Sequence, residues 1–402
     1  MQITAKVALD KAVYLLYNKY MLKDCVATLN ITSYDLTLSV AERSVNGAFS
    51  FRALEKVNYY SYYDGEFYDI KELERKIVKL YDDLITNSEV SKISTIFVSV
   101  PGEFSKVVSK NYKITFAKPK KITEGDVRYL MDNGFVDDDN EYSLVHRSAV
   151  YYVVDNYKTH EPIGKLASSL SARMSYCMAI NHFIDVLDKI LKKIGITTIR
   201  YILQDFACSR YLFTLAERDV CKLLINVGYS SSSLSIVCGN GLLFNSAFPI
   251  GGGMISAYLS DRLCIDYSVA EDLKAKLNLG LKERPSAKYI VNKDDVDFVE
   301  FSRDTCNKVA KDVLESIAEK CSDAVSSCTL KVPSDIETAF TGEGISKVKG
   351  AVEYISTRLG IFPKVVAPKV PHYNKPKYST RLALIDTALD FIKDKLFFTT
   401  LN

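Results

Sequence analysis

Twice along this chain, three short strand-like runs joined by tight polar turns lead into a helix, and that repetition constrains the fold more than any other feature. The first set occupies residues 25–54: "CVATLNIT", a turn at "SYD", "LTLSVAER", a turn at "SVNG", then "AFSFRAL". The second occupies 222–250: "KLLINV", "SSLSIV" and "GLLFNSAFPI", with "CGNG" (Cys238 to Gly241) as a hairpin turn between the last two. After the first set, residues 70–86 place Leu73, Ile77, Leu80 and Leu84 at helical spacing. After the second, "GGGMISAYLSDRLCI" opens a helix behind a glycine run. Two meander-then-helix halves in one chain read as an internal duplication. A length of 402 residues has room for both and for a third module.

That module is expected at 102–165. After the buried-type strand "ISTIFVSVPG", the run "KNYKITFAKPKKITEGDVRYLMDNGF" reads as a strand, a basic turn and a short helix. "EYSLVHRSAVYYVVDNYKTHEPIG" adds two strands and a turn, which together make a small inserted α+β unit. Beyond it come a helix in "NHFIDVLDKILKKIG", a strand in "TTIRYILQD" and a helical "ACSRYLFTLAERDV". Downstream of the second meander, "SVAEDLKAKLN" predicts a helix with Ser268 as its N-cap. A strand in "AKYIVN", a long helix over 302–321, and a strand, glycine turn and helix in "ETAFTGEGISKVKGAVEYISTRLG" follow. A last helix is expected over about 379–398, behind a Pro- and Lys-rich loop.

Composition narrows the function classes. With 52 basic and 49 acidic residues, net charge +3 and no block of like charge, nothing marks a nucleic-acid partner. Nine cysteines without a C-x-x-C pair, several inside apolar runs, fit free thiols in a reducing cytoplasm rather than a disulfide framework. The four histidines share no zinc-like spacing with them, so no metal site is predicted. No run of eighteen apolar residues predicts a transmembrane helix, and the N-terminus, broken by Asp10, Lys11, Asn18 and Lys19, does not read as a signal peptide.

In order and spacing, four segments resemble the actin/Hsp70/sugar-kinase superfamily and, within it, the bacterial cell-division family FtsA, over roughly residues 24 to 392. "KITEGDVRYLMD" with "LVHRSAVYYVVDNYKTHEPIG" looks like the inserted SHS2-type subdomain of FtsA and its pilus relatives, ending in a turn at Pro162 and Gly164. "LAERDVCKLLINVGYSSSSLSIV" resembles the acidic turn and second phosphate loop. "FPIGGGMISAYLSDRL" and "SVAEDLKAKLN" resemble a Gly-Gly-helix segment and the A-E-x-x-K adenosine helix, and "AFTGEGISKVKGAVEYI" the second adenosine turn. The resemblance implies an α/β, actin-like (ribonuclease H-like) duplicated fold with two lobes around a nucleotide cleft. Lobe 1 would comprise 1–101, 166–210 and 366–402, the insert 102–165, lobe 2 residues 211–265 and 331–365, and a small subdomain 266–330.

It also implies ATP as the ligand. The contacts carried over are Asn30, Thr32 and Ser33 in the first loop, and Asn226, Gly228, Tyr229, Ser230, Ser231 and Ser232 in the second. Gly251 and Gly252 would lie near the terminal phosphate, Glu271 and Lys274 at the ribose hydroxyls, and Gly342, Glu343 and Gly344 beside adenine. Both loops depart from the family pattern. Where the family has D-x-G-T/S, Asn30 and Thr32 stand for the aspartate and glycine; where it has D-x-G-G-G-T-T-D, only Gly228 remains of the glycine run and both acids are neutral. Magnesium favours carboxylate oxygens, and each lost electrostatic contribution is worth a few kcal/mol of barrier, roughly. Weak or absent hydrolysis is therefore expected, with no catalytic residue and no magnesium site. Hydroxyls and backbone amides still suit phosphate oxygens. Tyr229 either caps or fills the site, or packs on the sheet edge. The plainer readings of Glu271–Lys274 and of the glycine run are a surface i,i+3 pair and a tight strand-to-helix turn.

By resemblance the chain is a division scaffold that docks the acidic, apolar C-terminal peptide of the tubulin-like FtsZ at Arg303, Lys308 and Lys311, and associates with itself head-to-tail into filaments. The alternative is a PilM-type ATP-binding platform for pilus assembly. A true kinase or ATPase needs a catalytic aspartate that the sequence does not place. The stripe Leu382, Ile385, Leu389, Ile392 and Leu396 lacks a basic polar face and is expected on the core rather than on lipid. Family members usually carry a linker and an amphipathic anchor after this helix, and the chain ends at Asn402 before one. Phe397, Phe398 and the N-terminal "AVYLLYNKYML" remain as candidate contacts with the inner face of the cell membrane or with a partner.

Overall fold

The computed structural model describes residues 25–44, 49–134, 140–282, 284, 286–292 and 298–393. Lobe 1 starts as an antiparallel meander of β1 (Cys25–Ile31), β2 (Asp35–Arg43) and β3 (Phe49–Asn58). A two-residue-strand hairpin, β4 (Tyr62–Tyr63) and β5 (Glu66–Phe67), leads to α1 (Ile70–Asn87) and then β6 (Thr95–Val100), which runs parallel to β1. Asp69 caps α1 by accepting from the Lys71 and Glu72 amides, and Leu73, Ile77, Leu80 and Leu84 form its buried face, as their spacing predicts.

The insert contains β7 (Ser105–Lys121), α2 (Glu124–Asn133), β8 (Tyr142–Val154), β9 (Tyr157–Thr159) and β10 (Leu166–Ile180), in the sheet order β7-β10-β8-β9. Two expectations change here. The inner strand β10 lies beyond the 165 boundary, so the Pro162–Gly164 turn leads into this sheet instead of out of it. The predicted basic turn belongs to β7, one continuous edge strand paired with β10. Pro119 is tolerated there because its missing N–H is at an edge, close to where the register slips between Ala167 and Ser169. A Thr123–Asp126 capping box starts α2, whose Val127, Leu130 and Met131 join Tyr152 and Tyr176 in a separate small core.

The chain then re-enters lobe 1 through α3 (Asn181–Lys193), β11 (Thr198–Leu203), α4 (Gln204–Leu212) and the single turn α5 (Leu215–Arg218), completing the sheet β11-β6-β1-β2-β3. Lobe 2 repeats the design with β12 (Lys222–Val227), β13 (Ser232–Cys238) and β14 (Gly241–Phe248), followed by α6 (Gly253–Leu263) and α7 (Tyr267–Lys276). Tyr267 begins α7 with Asp266 at the cap position, so Ser268 sits inside the first turn and caps nothing. Next come β15 (Lys288–Asn292), β16 (Phe298–Ser302), α8 (Arg303–Ser327), β17 (Thr338–Thr341), α9 (Glu343–Ser346) and α10 (Ala351–Leu359). β17 runs parallel to β12 as β6 does to β1, so β14-β13-β12-β17 matches β3-β2-β1-β6 strand for strand. Residues 266–330 share lobe 2's core: Leu273, Val291 and Val313 cluster with Ile225 and Ile236.

Finally α11 (Ser379–Lys393) packs back onto lobe 1, burying Leu382, Ile385 and Leu389, while Arg43 holds Asp386 (2.5 Å) and Asp390 (3.4 Å) on its flank. The expectation of a docked helix holds as far as Lys393. Leu396, Phe397, Phe398, the first 24 residues and most of the "SVNG" turn lie outside the described residues. No helix among the described residues is long and apolar enough to cross a membrane.

Candidate functional site: the cleft between the lobes

The matching topology places the β1–β2 and β12–β13 turns face to face. The first is fixed by Thr32, whose hydroxyl accepts from the Asp35 amide (2.9 Å) and whose amide donates to the Asp35 carbonyl (2.9 Å), while Ser61 Oγ donates to the Thr32 carbonyl (2.9 Å). In the second, the Gly228 amide donates to the Ser231 carbonyl (2.8 Å). The turns also bond to each other: the Ser230 amide donates to Ser33 Oγ at 3.1 Å.

Tyr229 makes the larger bridge. Its ring stacks on Tyr34 of lobe 1, with centroids 4.3 Å apart and planes at 26°, and lies 5.8 Å from Tyr60. On the other side Lys274 Nζ stands 4.9 Å from the ring centroid. The phenol donates to Glu271 Oε1 (2.8 Å) and accepts from the Tyr267 hydroxyl (2.6 Å). Glu271 Oε1 also accepts from Ser256 (2.5 Å) and Lys274 (2.5 Å). Burial, then hydrogen bonding to Tyr267, Tyr60 and Glu271, pushes the Tyr229 phenol far above its ordinary range. Burial alone would raise Glu271, but the hydrogen bonds from Lys274 and Ser256 outweigh it and keep the carboxyl below its ordinary value. Lys274, 1% exposed, is lowered by burial against the pull of Glu271. The Tyr229 ring therefore lies between Tyr34 of lobe 1 and Lys274 of lobe 2.

The glycines around this web serve close packing. A Cβ on Gly253 would sit 2.6 Å from Tyr229 Cε1, so the ring fits only because that position is glycine. A Cβ on Gly344 would meet the Gly228 carbonyl at 2.0 Å, and the Gly252 and Gly253 amides already donate to the Gly228 and Tyr229 carbonyls (3.0 and 2.6 Å). Two amides of the glycine run expected near the terminal phosphate are thus engaged by the backbone of the second turn.

Beside the web lies a cavity of about 340 Å³. Of the residues singled out from sequence, Asn30, Thr32, Ser33, Asn226, Gly228, Tyr229, Ser231, Ser232, Gly342 and Glu343 line it. Ser230, Gly251, Gly252, Glu271, Lys274 and Gly344 are not part of its wall. The opposite wall was missed: it comes from the Pro- and Lys-rich stretch, where Arg381 lies over Tyr373 (5.4 Å) and Tyr378 (5.2 Å), and from the Lys56–Asp35 pair (2.6 Å). A run of Tyr, Pro and Lys just before a helix was the available signal, but only the tertiary fold brings it to the cleft. Asp205, on the first turn of α4, was also missed. It is fully buried, accepts from Ser233 Oγ (2.7 Å), and is raised by burial against the hydrogen bonds of Ser233, Asn226 and Asn245. Near the Ser231 hydroxyl, Glu103 is pushed by burial to about 7, with the Asp64 amide donating to it (3.0 Å).

Around the cavity several buried atoms have no partner: Asn30 Oδ1, Asp205 Oδ2, Ser230 Oγ and Arg381 Nε. The proposed peptide contacts lie elsewhere, on α8. Lys308 is exposed, Lys311 is half-buried, and the Arg303 guanidinium donates to the Lys282 carbonyl. No group of three potential metal ligands occurs among the described residues.

At the positions expected for ribose and adenine a nucleotide would compete with the protein's own contacts. Hydroxyls remain on the phosphate side, but the carboxylate and ammonium expected at ribose already bond to Tyr229 and to each other, and the turn expected beside adenine touches Gly228.

No family model matches the chain. It is similar to the cell division protein FtsA of Helicobacter pylori J99, 20% identical over 181 residues, which cover 44% of this chain and 37% of that protein. It is also similar to FtsA of Pseudomonas aeruginosa PAO1, 21% identical over 308 residues, 73% of this chain and 72% of that protein. The chain thus spans little more than a third of the first relative and nearly three quarters of the second. Among solved structures, the PilM-PilN type IV pilus biogenesis complex matches with TM-score 0.59 at 15% identity, over 90% of this chain and 98% of that one. MreB5 of Spiroplasma citri bound to ADP matches with TM-score 0.55 at 10% identity, over 92% and 99%. The chain is a divergent, FtsA-like protein of the actin fold.

Proposed function

We propose that this chain is an actin-like cell-division scaffold that docks the C-terminal peptide of FtsZ, associates with itself, and does so without efficient ATP turnover. The observation that carries the reading is the similarity to Pseudomonas FtsA over 308 residues, which is too long to come from one shared loop. The chemistry of the cleft supports the absence of turnover: Asn30 and Asn226 are neutral where a metal would need carboxylates, and Asp205 is sealed under Ser233. By the same reading the protein works peripherally at the cytoplasmic face of the cell membrane at the septum.

On α8, exposed Lys308 and half-buried Lys311 lie one helical turn apart, a basic edge suited to an acidic, apolar tail. The test is fluorescence anisotropy with an FtsZ C-terminal peptide. Micromolar binding that Lys308→Glu weakens several-fold is expected, whereas no binding at millimolar peptide contradicts the reading. A second reading, a pilus-assembly platform, is favoured by the likeness to the PilM-PilN complex. Binding of a short inner-membrane pilus peptide in place of the FtsZ tail would select it. Steady ATP hydrolysis abolished by Ser232→Ala would overturn the non-enzymatic part.

A further inference from the structure

We propose that Tyr229 is a built-in replacement for a nucleotide: its ring and hydroxyl clamp lobe 1 to lobe 2, so the chain holds its cleft closed with no ligand bound. In an actin-like cleft a nucleotide is the group that both lobes grip at once, and here one side chain makes both kinds of contact. Towards lobe 1 the ring stacks on Tyr34 at 4.3 Å and its hydroxyl reaches Tyr60 at 3.4 Å. Towards lobe 2 the same hydroxyl donates to Glu271 as a sugar hydroxyl would, and Lys274 covers the ring as it would a flat, electron-rich group.

The distribution of unsatisfied atoms points the same way. A pocket awaiting a ligand leaves polar groups without partners, yet the side-chain polar atoms of Tyr229, Tyr267, Glu271 and Lys274 are all bonded. Two of the orphans, Asn30 Oδ1 and Arg381 Nε, belong to residues that line the neighbouring cavity. Gly253 is the matching adaptation, since any side chain there would expel the ring. The inference rests on the cleft being this fold's nucleotide cleft and is independent of FtsZ docking, so the peptide experiment and this one fail separately.

The test has two arms, both on the full chain. Wild-type protein is titrated with a fluorescent ATP analogue, with and without magnesium. No saturable binding is expected up to about 1 mM, the weak end of specific affinity; saturation at micromolar concentration overturns the proposal. In the second arm, hydrogen exchange is followed at residues 31–35 and 226–232. Tyr229→Ala is expected to speed exchange in both segments together by about tenfold or more, as the lobes part. Tyr229→Phe, which keeps the stack and loses the hydroxyl bonds, should fall between it and wild type. Unchanged protection of 31–35 in both variants overturns the clamp, because that segment belongs to the opposite lobe.

Discussion

The cleft between the two equivalent turns has two parts, and they end in opposite states. Between Tyr229, Glu271 and Lys274 the side chains pack and bond directly to one another. Around Asn30 and Arg381 there is a 340 Å³ cavity with buried atoms that bond to nothing. The packed part rests on three residues. In the first turn Tyr34 points a ring outward to the other lobe, and in the second Tyr229 receives it over a residue without a side chain, Gly253. An aromatic ring can replace a base and a sugar, because stacking and one hydroxyl supply the needed contacts. Among the described residues no side chain fills the space beside Asn30 and Arg381, and that part stays open and polar.

Mutations that reach both sides would break or sharpen this contrast. Tyr229→Ala should cost about 3–5 kcal/mol in chemical denaturation, the range for truncating a buried aromatic; a loss below 1 kcal/mol, roughly, would mean the ring is only a cover. Gly253→Ala should cost about 1–3 kcal/mol by overpacking against the ring, and much less in a Tyr229→Ala background, a coupling readable from a double-mutant cycle.

Glu103 tests the cavity side through pH. Its folded carboxyl keeps the proton to about 7, against an ordinary value of 4.5. The folded state therefore binds the extra proton between those limits, and stability falls as pH rises from 4.5 to about 7, by on the order of 3 kcal/mol at most, then levels off. Glu103→Gln should flatten that slope in urea titrations at successive pH values. Asn30→Ala, at the cavity floor, should be the mildest change, under about 1 kcal/mol, since its Oδ1 bonds to no protein atom.

Local pattern revealed the meanders, α1, the hairpin at Cys238–Gly241 and the final helix, because period and turn chemistry are written into adjacent residues. It drew the insert too short: "LASSLSARMSYCMAI" reads as a strand but carries no mark of which sheet it joins. For the cleft, the two turns were legible as a pair of degenerate loops. The Tyr34–Tyr229 stack, the Arg381 wall and the buried Asp205 were not, since each depends on segments brought together only by the duplicated sheets. Glu271 and Lys274 were found as a pair on one helical turn, but their partner proved to be the protein's own phenol.

The most direct measurement of the central claim is the melting temperature of the wild-type chain with and without magnesium ATP at about 1 mM. A ligand present at a hundred times its Kd stabilises by about 2.7 kcal/mol, which moves the midpoint by several degrees. A clamp supplied by Tyr229 predicts no shift beyond scatter; a rise of several degrees in the wild-type chain would show that the cleft still takes a nucleotide and would contradict it.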